Sequence, residues 1–210
     1  NSEIFEKNPQ ELEKLDGYDG IIVPGGFGAR GVEGKIRAIE YARKNKIPYL
    51  GLCYGMQLMV VEYARNVLGM KDAHTAEINP DTTHPVIDLM PDQKKNMEEN
   101  NFGATMRLGE YDCLIKKDTL AFQAYQKETV SERHRHRYEV NPKFIAELEK
   151  AGLVFSGQSP DGRLMEIAEL KISQHPFMLG SQFHPEFTSS PIHPQPLFLG
   201  FVKAASKKAS

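Results

Sequence analysis

Two apolar runs too short for helices, "GIIVP" at 20–24 and "IPYLGL" at 47–52, each precede a segment of helical spacing. This alternation constrains the fold more than any other feature of the chain. In "EGKIRAIEYARKNK", Ile36, Ile39 and Ala42 fall on one helical face and the last turn is basic, as the helix dipole favours. In "GMQLMVVEYARNVLG" the pattern runs to a glycine stop at Gly69. Strand, helix, strand, helix with short joins requires parallel strands linked by right-handed crossovers. The predicted fold is therefore α/β, with a mainly parallel central sheet flanked by helices and both apolar runs buried on two faces.

The glycines after the first run raise a question of their own. Gly26, Gly28 and Gly31 spell G-x-G-x-x-G, the form of a dinucleotide-binding turn, and Gly34-Lys35 resembles the end of a P-loop. Neither reading survives in detail. A P-loop needs a glycine where Ala29 stands and a Ser or Thr where Ile36 stands. A dinucleotide fold needs a carboxylate at the end of the next strand, and "YLGLCYG" has none. The loop must serve another purpose.

Further along, Asn8 and Pro9 cap a short helix through "QELEKL". "PKFIAELEKAG" is a helix from Pro142, "LVFSGQSPDGRLMEIAEL" is two strands about an Asp161-Gly162 turn, "FMLGSQFHPEF" is a strand, and "PLFLGFVKAASK" is a closing helix. The charged stretch Pro91 to Asn101 lacks an apolar stripe and reads as an exposed loop, either a solvated linker or a lid over a site. With 210 residues, 40% of them hydrophobic, the chain is expected to form one domain with a full core. A net charge of −2 supplies no field to draw nucleic acid or an anionic membrane. No apolar run approaches a membrane span, and the polar start "NSEIFEKN" is no signal peptide, so a cytoplasmic setting is expected. Cys53 and Cys113 form no C-x-x-C pair, which fits a reducing compartment. A start without methionine suggests a piece of something longer.

The chemistry concentrates in three places. Cys53 stands in "GLCYG" between a buried strand and a helix, and G-x-nucleophile-x-G at such a junction is a nucleophile elbow. The helix N-terminus behind it favours negative charge, so the thiol is expected to be more acidic than free cysteine. A thiolate attacking a carbonyl needs donors for the oxyanion. The amide of Tyr54 supplies one and the glycine loop the other, with Gly26 the expected donor, and one such amide is worth roughly 3 kcal/mol to the transition state. "FHPEF" sets His184 and Glu186 two apart on a predicted strand, so both project from one face and the carboxylate fixes the imidazole tautomer. "ERHRHRYEV" is more ambiguous. His134 and His136 form an H-x-H pair without a third ligand at suggestive spacing. Arg133, Arg135 and Arg137 read as a solvated strand edge, a nucleic-acid patch or a carboxylate clamp, with nucleic acid disfavoured by the charge balance. Cys113 reads as core filler. No metal site is expected.

Together "PGGFG", "GLCYGMQ" and "FHPEF" resemble the class I, triad-type glutamine amidotransferases. "GATMRLG", "ERHRHRYEVN" and "GFVKAAS" are similar to the glutaminase domains of CTP synthases within that family, and the likeness runs from about Asp19 to Ser206. The resemblance implies a triad of Cys53, His184 and Glu186, oxyanion amides at Gly26 and Tyr54, and glutamine contacts from Gly26, Tyr54, Gln57, Glu77 and Arg137. Those residue types suit a zwitterion: Glu77 its ammonium, Arg137 its carboxylate. It further implies that ammonia from L-glutamine feeds the ATP-dependent amination of UTP to CTP in an amidoligase domain that this stretch lacks. ATP, Mg and a GTP effector are expected only for that longer enzyme, which is expected to be a homo-oligomer. Tyr54 stands where the family usually has leucine, and its ring is expected to narrow or regate the pocket. The alternatives are a free γ-glutamyl hydrolase, a glutaminase serving another synthetase, and a non-catalytic regulatory module.

Overall fold

The computed structural model describes residues 1–89 and 106–208, so the stretch Pro91 to Asn101 lies outside the described residues. Helix α1 (Glu3–Lys7) and a 3-10 turn (Pro9–Gly17), capped by the Asn8 side chain, lead into β1 (Ile21–Val23). The expected alternation follows: α2 (Val32–Lys44), β2 (Tyr49–Leu52) and α3 (Tyr54–Asn66). Beyond these lie β3 (His74–Thr75), β4 (Pro85–Leu89), β5 (Arg107–Ile115), α4 (Leu120–Tyr125), β6 (Thr129–His136) and β7 (Tyr138–Val140). The chain ends with α5 (Pro142–Lys150), β8 (Leu153–Gln158), β9 (Met165–Leu170), β10 (Met178–Ser181) and α6 (Pro196–Lys208).

Seven strands form the central sheet in the order β1-β2-β10-β9-β8-β5-β6, and β3-β4-β7 form a smaller one. The α/β class holds, but the sheet is mixed rather than mainly parallel. β1 with β2 and β2 with β10 are parallel, whereas β10/β9, β9/β8, β8/β5 and β5/β6 are antiparallel. The reason is connection length. β8 and β9 are joined by a short turn, which only antiparallel neighbours permit, and Gly162 takes φ 71° there. The crossover helices α2 and α3 serve the parallel end.

Side-chain alternation divides the core between the two faces of this sheet. Along β2, Tyr49 joins the cluster with Ile36, Ile39, Met59 and Val60, while Leu50 and Leu52 join Phe177, Leu197 and Phe201 on the other side. β2 is thus buried on both faces as expected. β1 is not: it lies at the sheet edge, with Ile22 exposed. The parallel strands point their C-terminal ends at one crevice, and α3 starts there. Open sheets of this kind bind ligands at that end.

Candidate active site

Cys53 caps the N-terminus of α3 with φ 48° and ψ −97°, a conformation rarely adopted by residues with a Cβ. Backbone bonds hold it there: its amide donates to Ser181 O at 2.6 Å and its carbonyl accepts from Gln57 N at 3.1 Å. The flanking glycines are required by proximity. A Cβ on Gly51 would lie 2.6 Å from the Gly55 carbonyl carbon, and one on Gly55 would lie 2.2 Å from Val23 O. This sharp turn carries the sulfur to the floor of a cavity of about 610 Å³.

The same cavity is lined by Gly25, Gly26, Gln57, Glu77, Arg137, His184 and Glu186. His184 and Glu186 are not on a strand. β10 ends at Ser181, and Pro185, which has no N–H for a ladder, opens a 3-10 turn from Pro185 to Phe187. The pairing survives by this different route, with His184 Nδ1 2.7 Å from Glu186 Oε1. Burial would raise the Glu186 carboxyl, but the His184 hydrogen bond and Glu186's own amide outweigh it and leave it below its ordinary value. The His184 amide donates to Arg133 O at 2.8 Å, and its ring stacks on Phe187 at 4.8 Å between centroids and 10° between planes. On another side Gly25 presses close, since a Cβ there would lie 2.8 Å from His184 Cε1. With Nδ1 held by the carboxylate, the buried Nε2 has no hydrogen-bond partner among the described residues. An imidazole so arranged is a base with a free lone pair.

The sulfur differs from expectation. Burial pushes the Cys53 thiol up to about 12, the Tyr54 amide pulls it down, and the Glu139, Glu186 and Glu77 charges raise it again. Desolvation, with the neighbouring acidic groups adding to it, outweighs the Tyr54 amide at the helix N-terminus, so the resting group is a thiol. Its proton must leave when it reacts.

The Tyr54 ring is buried and lies outside the cavity lining, against the loop at Gly26. Its hydroxyl donates to Gly28 O at 2.7 Å, while Gly28 N donates to Glu77 Oε1 at 3.0 Å. Gln57 donates to Tyr138 O at 2.9 Å and to Gln182 Oε1 at 3.3 Å. Gln182 was not singled out from sequence, yet its Nε2 stands 3.6 Å from the sulfur. No periodicity marks it, and only its place two residues before His184 hinted at the site. Phe187, likewise missed, closes the "FHPEF" motif.

Along β6 Arg133 and Arg135 face out, as does Arg137 just beyond the strand, and Arg135 and Arg137 line the cavity. His134 and His136 face in and meet each other, Nδ1 to Nε2, at 2.9 Å. They sit in a buried cluster in which Arg107 Nη1 lies 2.7 Å from Glu166 and 3.5 Å from Glu139. Burial drives both imidazoles down, His134 to about 2 and His136 to about 3, and drives both carboxyls up. Cys113 is buried against Gly157 and is core filler, as expected.

An elbow cysteine at the C-terminal edge of parallel strands, lining one cavity with a carboxylate-held imidazole, is the arrangement of a cysteine-dependent amide hydrolase of the amidotransferase type. The chain belongs to the class-I glutamine amidotransferase family, whose profile matches residues 1–204. Within that family it groups with the glutaminase domains of CTP synthases. It is 58% identical over 208 residues to the CTP synthase of Bacillus subtilis, covering 99% of this chain and 38% of that protein. To the CTP synthase of Halalkalibacterium halodurans it is 58% identical over 196 residues, covering 93% and 36%. The chain thus spans little more than a third of these curated relatives. Among solved structures, the acivicin-bound glutaminase domain of Trypanosoma brucei CTPS superposes with a TM-score of 0.91 at 42% identity, covering 99% of this chain and 79% of that one. PurLQS from Thermotoga maritima shares the fold at a TM-score of 0.54 and 14% identity, covering 93% of this chain and 82% of that one.

Proposed function

We propose that the chain hydrolyses the side-chain amide of L-glutamine through Cys53, His184 and Glu186. As the Cys53 sulfur attacks the amide carbon, its proton passes to His184 Nε2, and Glu186 steadies the imidazolium. The carbonyl oxygen takes up negative charge facing the amides of Gly26 and Tyr54. His184 returns the proton to the nitrogen, ammonia departs, and a γ-glutamyl thioester remains. His184 then takes a proton from water, which attacks the thioester, and glutamate leaves with the thiol restored. Glu77 suits the substrate ammonium and Arg137 its carboxylate, and Gln57 lines the same cavity.

The observation that carries this reading is the unpartnered Nε2 of a carboxylate-held histidine that lines the same cavity as a strained cysteine. In a longer chain of the kind its relatives have, the ammonia would pass to an amidoligase domain that aminates UTP to CTP. ATP and Mg would act there, with GTP as effector, in a homo-oligomer of the cytoplasm. Among the described residues no helix is long and apolar enough to cross a membrane.

Treatment with a diazo-ketone glutamine analogue, followed by peptide mass mapping, tests the proposal. A single adduct on Cys53, together with ammonia release that is lost in Cys53→Ser, is the expected result. No adduct and no ammonia would leave a non-catalytic module.

A further inference from the structure

The loop that follows β1 has little to hold it. Phe27 is 87% exposed, and among the described residues only two hydrogen bonds reach Pro24 to Gly28. Both fall on one residue. Glu77 Oε1 accepts from Gly28 N at 3.0 Å, and the Tyr54 hydroxyl donates to Gly28 O at 2.7 Å. Gly28 takes φ 74°, a left-handed conformation that only an achiral residue adopts freely, so the loop needs outside contacts to stay in one shape. Gly26, two residues back, rests against the same ring: a Cβ built on it would lie 3.4 Å from Tyr54 Cδ1.

Tyr54 is well placed to act as that contact. It is the first residue of α3, its backbone amide bonds the Cys53 sulfur, and its ring is only 1% exposed. The Lys35 ammonium lies 5.7 Å from the ring centroid on the solvent side, a cation–π contact that further fixes the ring. Burial, then the Glu77 charge, hold the phenol above its ordinary value, so the hydroxyl remains a donor across the physiological range.

We infer that Tyr54 is a positioning residue for the oxyanion site: its backbone offers one amide, and its hydroxyl, through Gly28 O, fixes the loop that offers the other at Gly26. One residue thereby sets the separation of the two donors. Oxyanion stabilisation depends on donors already in place when charge develops, because an amide that must first be ordered contributes less. The effect belongs to the transition state and not to glutamine binding. Glu77, accepting from the Gly28 amide, links the same residue to the group proposed for the substrate ammonium.

This inference rests on the glutaminase reading, so its test has one arm that does not. Tyr54→Phe removes the hydroxyl and keeps the ring. In the ligand-free protein, amide hydrogen exchange in the peptide covering Pro24 to Ala29 should rise three- to tenfold, the range for one lost hydrogen bond. In turnover, kcat should fall by a similar factor while KM for glutamine stays within about twofold. Glutamate γ-semialdehyde, whose thiohemiacetal with Cys53 places an oxyanion in the site, should bind three- to tenfold more weakly, with glutamate affinity unchanged. Tyr54→Leu, which removes ring and hydroxyl, should be impaired at least as much. Unchanged loop exchange in Tyr54→Phe overturns the inference. So does an equal loss of aldehyde and glutamate affinity, which would mean the whole pocket had shifted. Failure of the wild type to release ammonia would count against the glutaminase reading alone, and the exchange arm would still decide the role of Tyr54.

Discussion

The location of the Cys53 proton can be measured directly. Burial pushes this thiol up to about 12. At pH 7 its thiolate fraction is then about 10⁻⁵, against roughly 3% for a free cysteine near 8.5. A more basic thiolate is also a better nucleophile, and a Brønsted coefficient near 0.45 returns about fortyfold of that deficit. The net expectation is alkylation at pH 7 about a hundredfold slower than for a free thiol. Because Cys53 is only 5% exposed, restricted access will slow it further. Access scales the rate at every pH equally, so the pH dependence is the cleaner quantity. From pH 6 to pH 9.5 the logarithm of the rate should climb with a slope near one and no plateau. Iodoacetamide quench series with mass mapping at Cys53 give this profile, with glutathione as the reference thiol. Cys113, buried and likewise raised above its ordinary value, reports any loss of structure. A plateau beginning below pH 8, with a rate at pH 7 exceeding that of glutathione, would mean a thiolate already formed at rest and would refute the argument.

Glu186→Gln keeps the shape of the orienting group and removes its charge, so kcat for ammonia release should fall about a hundredfold or more with KM little changed; an unaltered kcat would exclude Glu186 from the mechanism. Phe187→Ala removes the ring stacked on His184 and should lower kcat about three- to tenfold, with Phe187→Tyr restoring it, since such a stack is worth about 0.5–1.5 kcal/mol. Glu33 is held down to about 2, first by His74, whose Nε2 lies 3.6 Å away, against burial and with help from Arg65, which donates to both its oxygens at 3.0 and 2.8 Å. Being half exposed, it contributes about 1 kcal/mol after screening, and because its folded value lies below the ordinary one, that stability is present at neutral pH and fades as pH falls toward about 2. Urea melts of Glu33→Gln and wild type should therefore separate at pH 7 and converge near that lower limit. Glu139→Gln mimics a protonated carboxyl and should leave stability within about 1 kcal/mol, whereas Arg107→Met strips the buried carboxyls of their cation and should cost about 3 kcal/mol or more; a large loss in the glutamine variant would mean that Glu139 is ionised.

The parts of this molecule legible in the sequence were those governed by local rules. The elbow could be read because a cysteine between glycines at a strand–helix junction has few other uses. The sheet was harder. α2 and α3 dominate the first third of the chain and imply parallel strands, and the Asp161-Gly162 turn joins β8 to β9, but the pairings of β5 with β6 and β8 and of β9 with β10 depend on which strand each lies beside, and no local pattern carries that. β1 looked doubly buried because its run is apolar, yet its edge position leaves Ile22 in solvent. The pairing of His184 with Glu186 was anticipated for the wrong geometric reason: an i, i+2 spacing serves a strand, and Pro185 turns the chain instead. Gln182, Phe187 and the hydroxyl of Tyr54 act through contacts with residues more than twenty positions away or through a turn, which a single sequence does not display.

The charge arrangement around the sulfur explains why a buried thiol suits the proposed reaction. After burial itself, Glu139, Glu186 and Glu77 oppose ionisation of Cys53 in that order, Glu139 only in so far as its own buried carboxyl is charged. On the proposed reading two of the three are answered in turn by the reaction. The substrate ammonium neutralises Glu77 on binding, and the imidazolium formed at His184 neutralises Glu186 as the proton moves. The sulfur therefore becomes easier to ionise only when an amino acid occupies the cavity and a carbonyl is at hand to receive the attack. A site that carried its thiolate permanently would expose it to oxidants between turnovers. On this reading, burial and the neighbouring carboxylates keep the nucleophile protonated until the substrate supplies the missing positive charge.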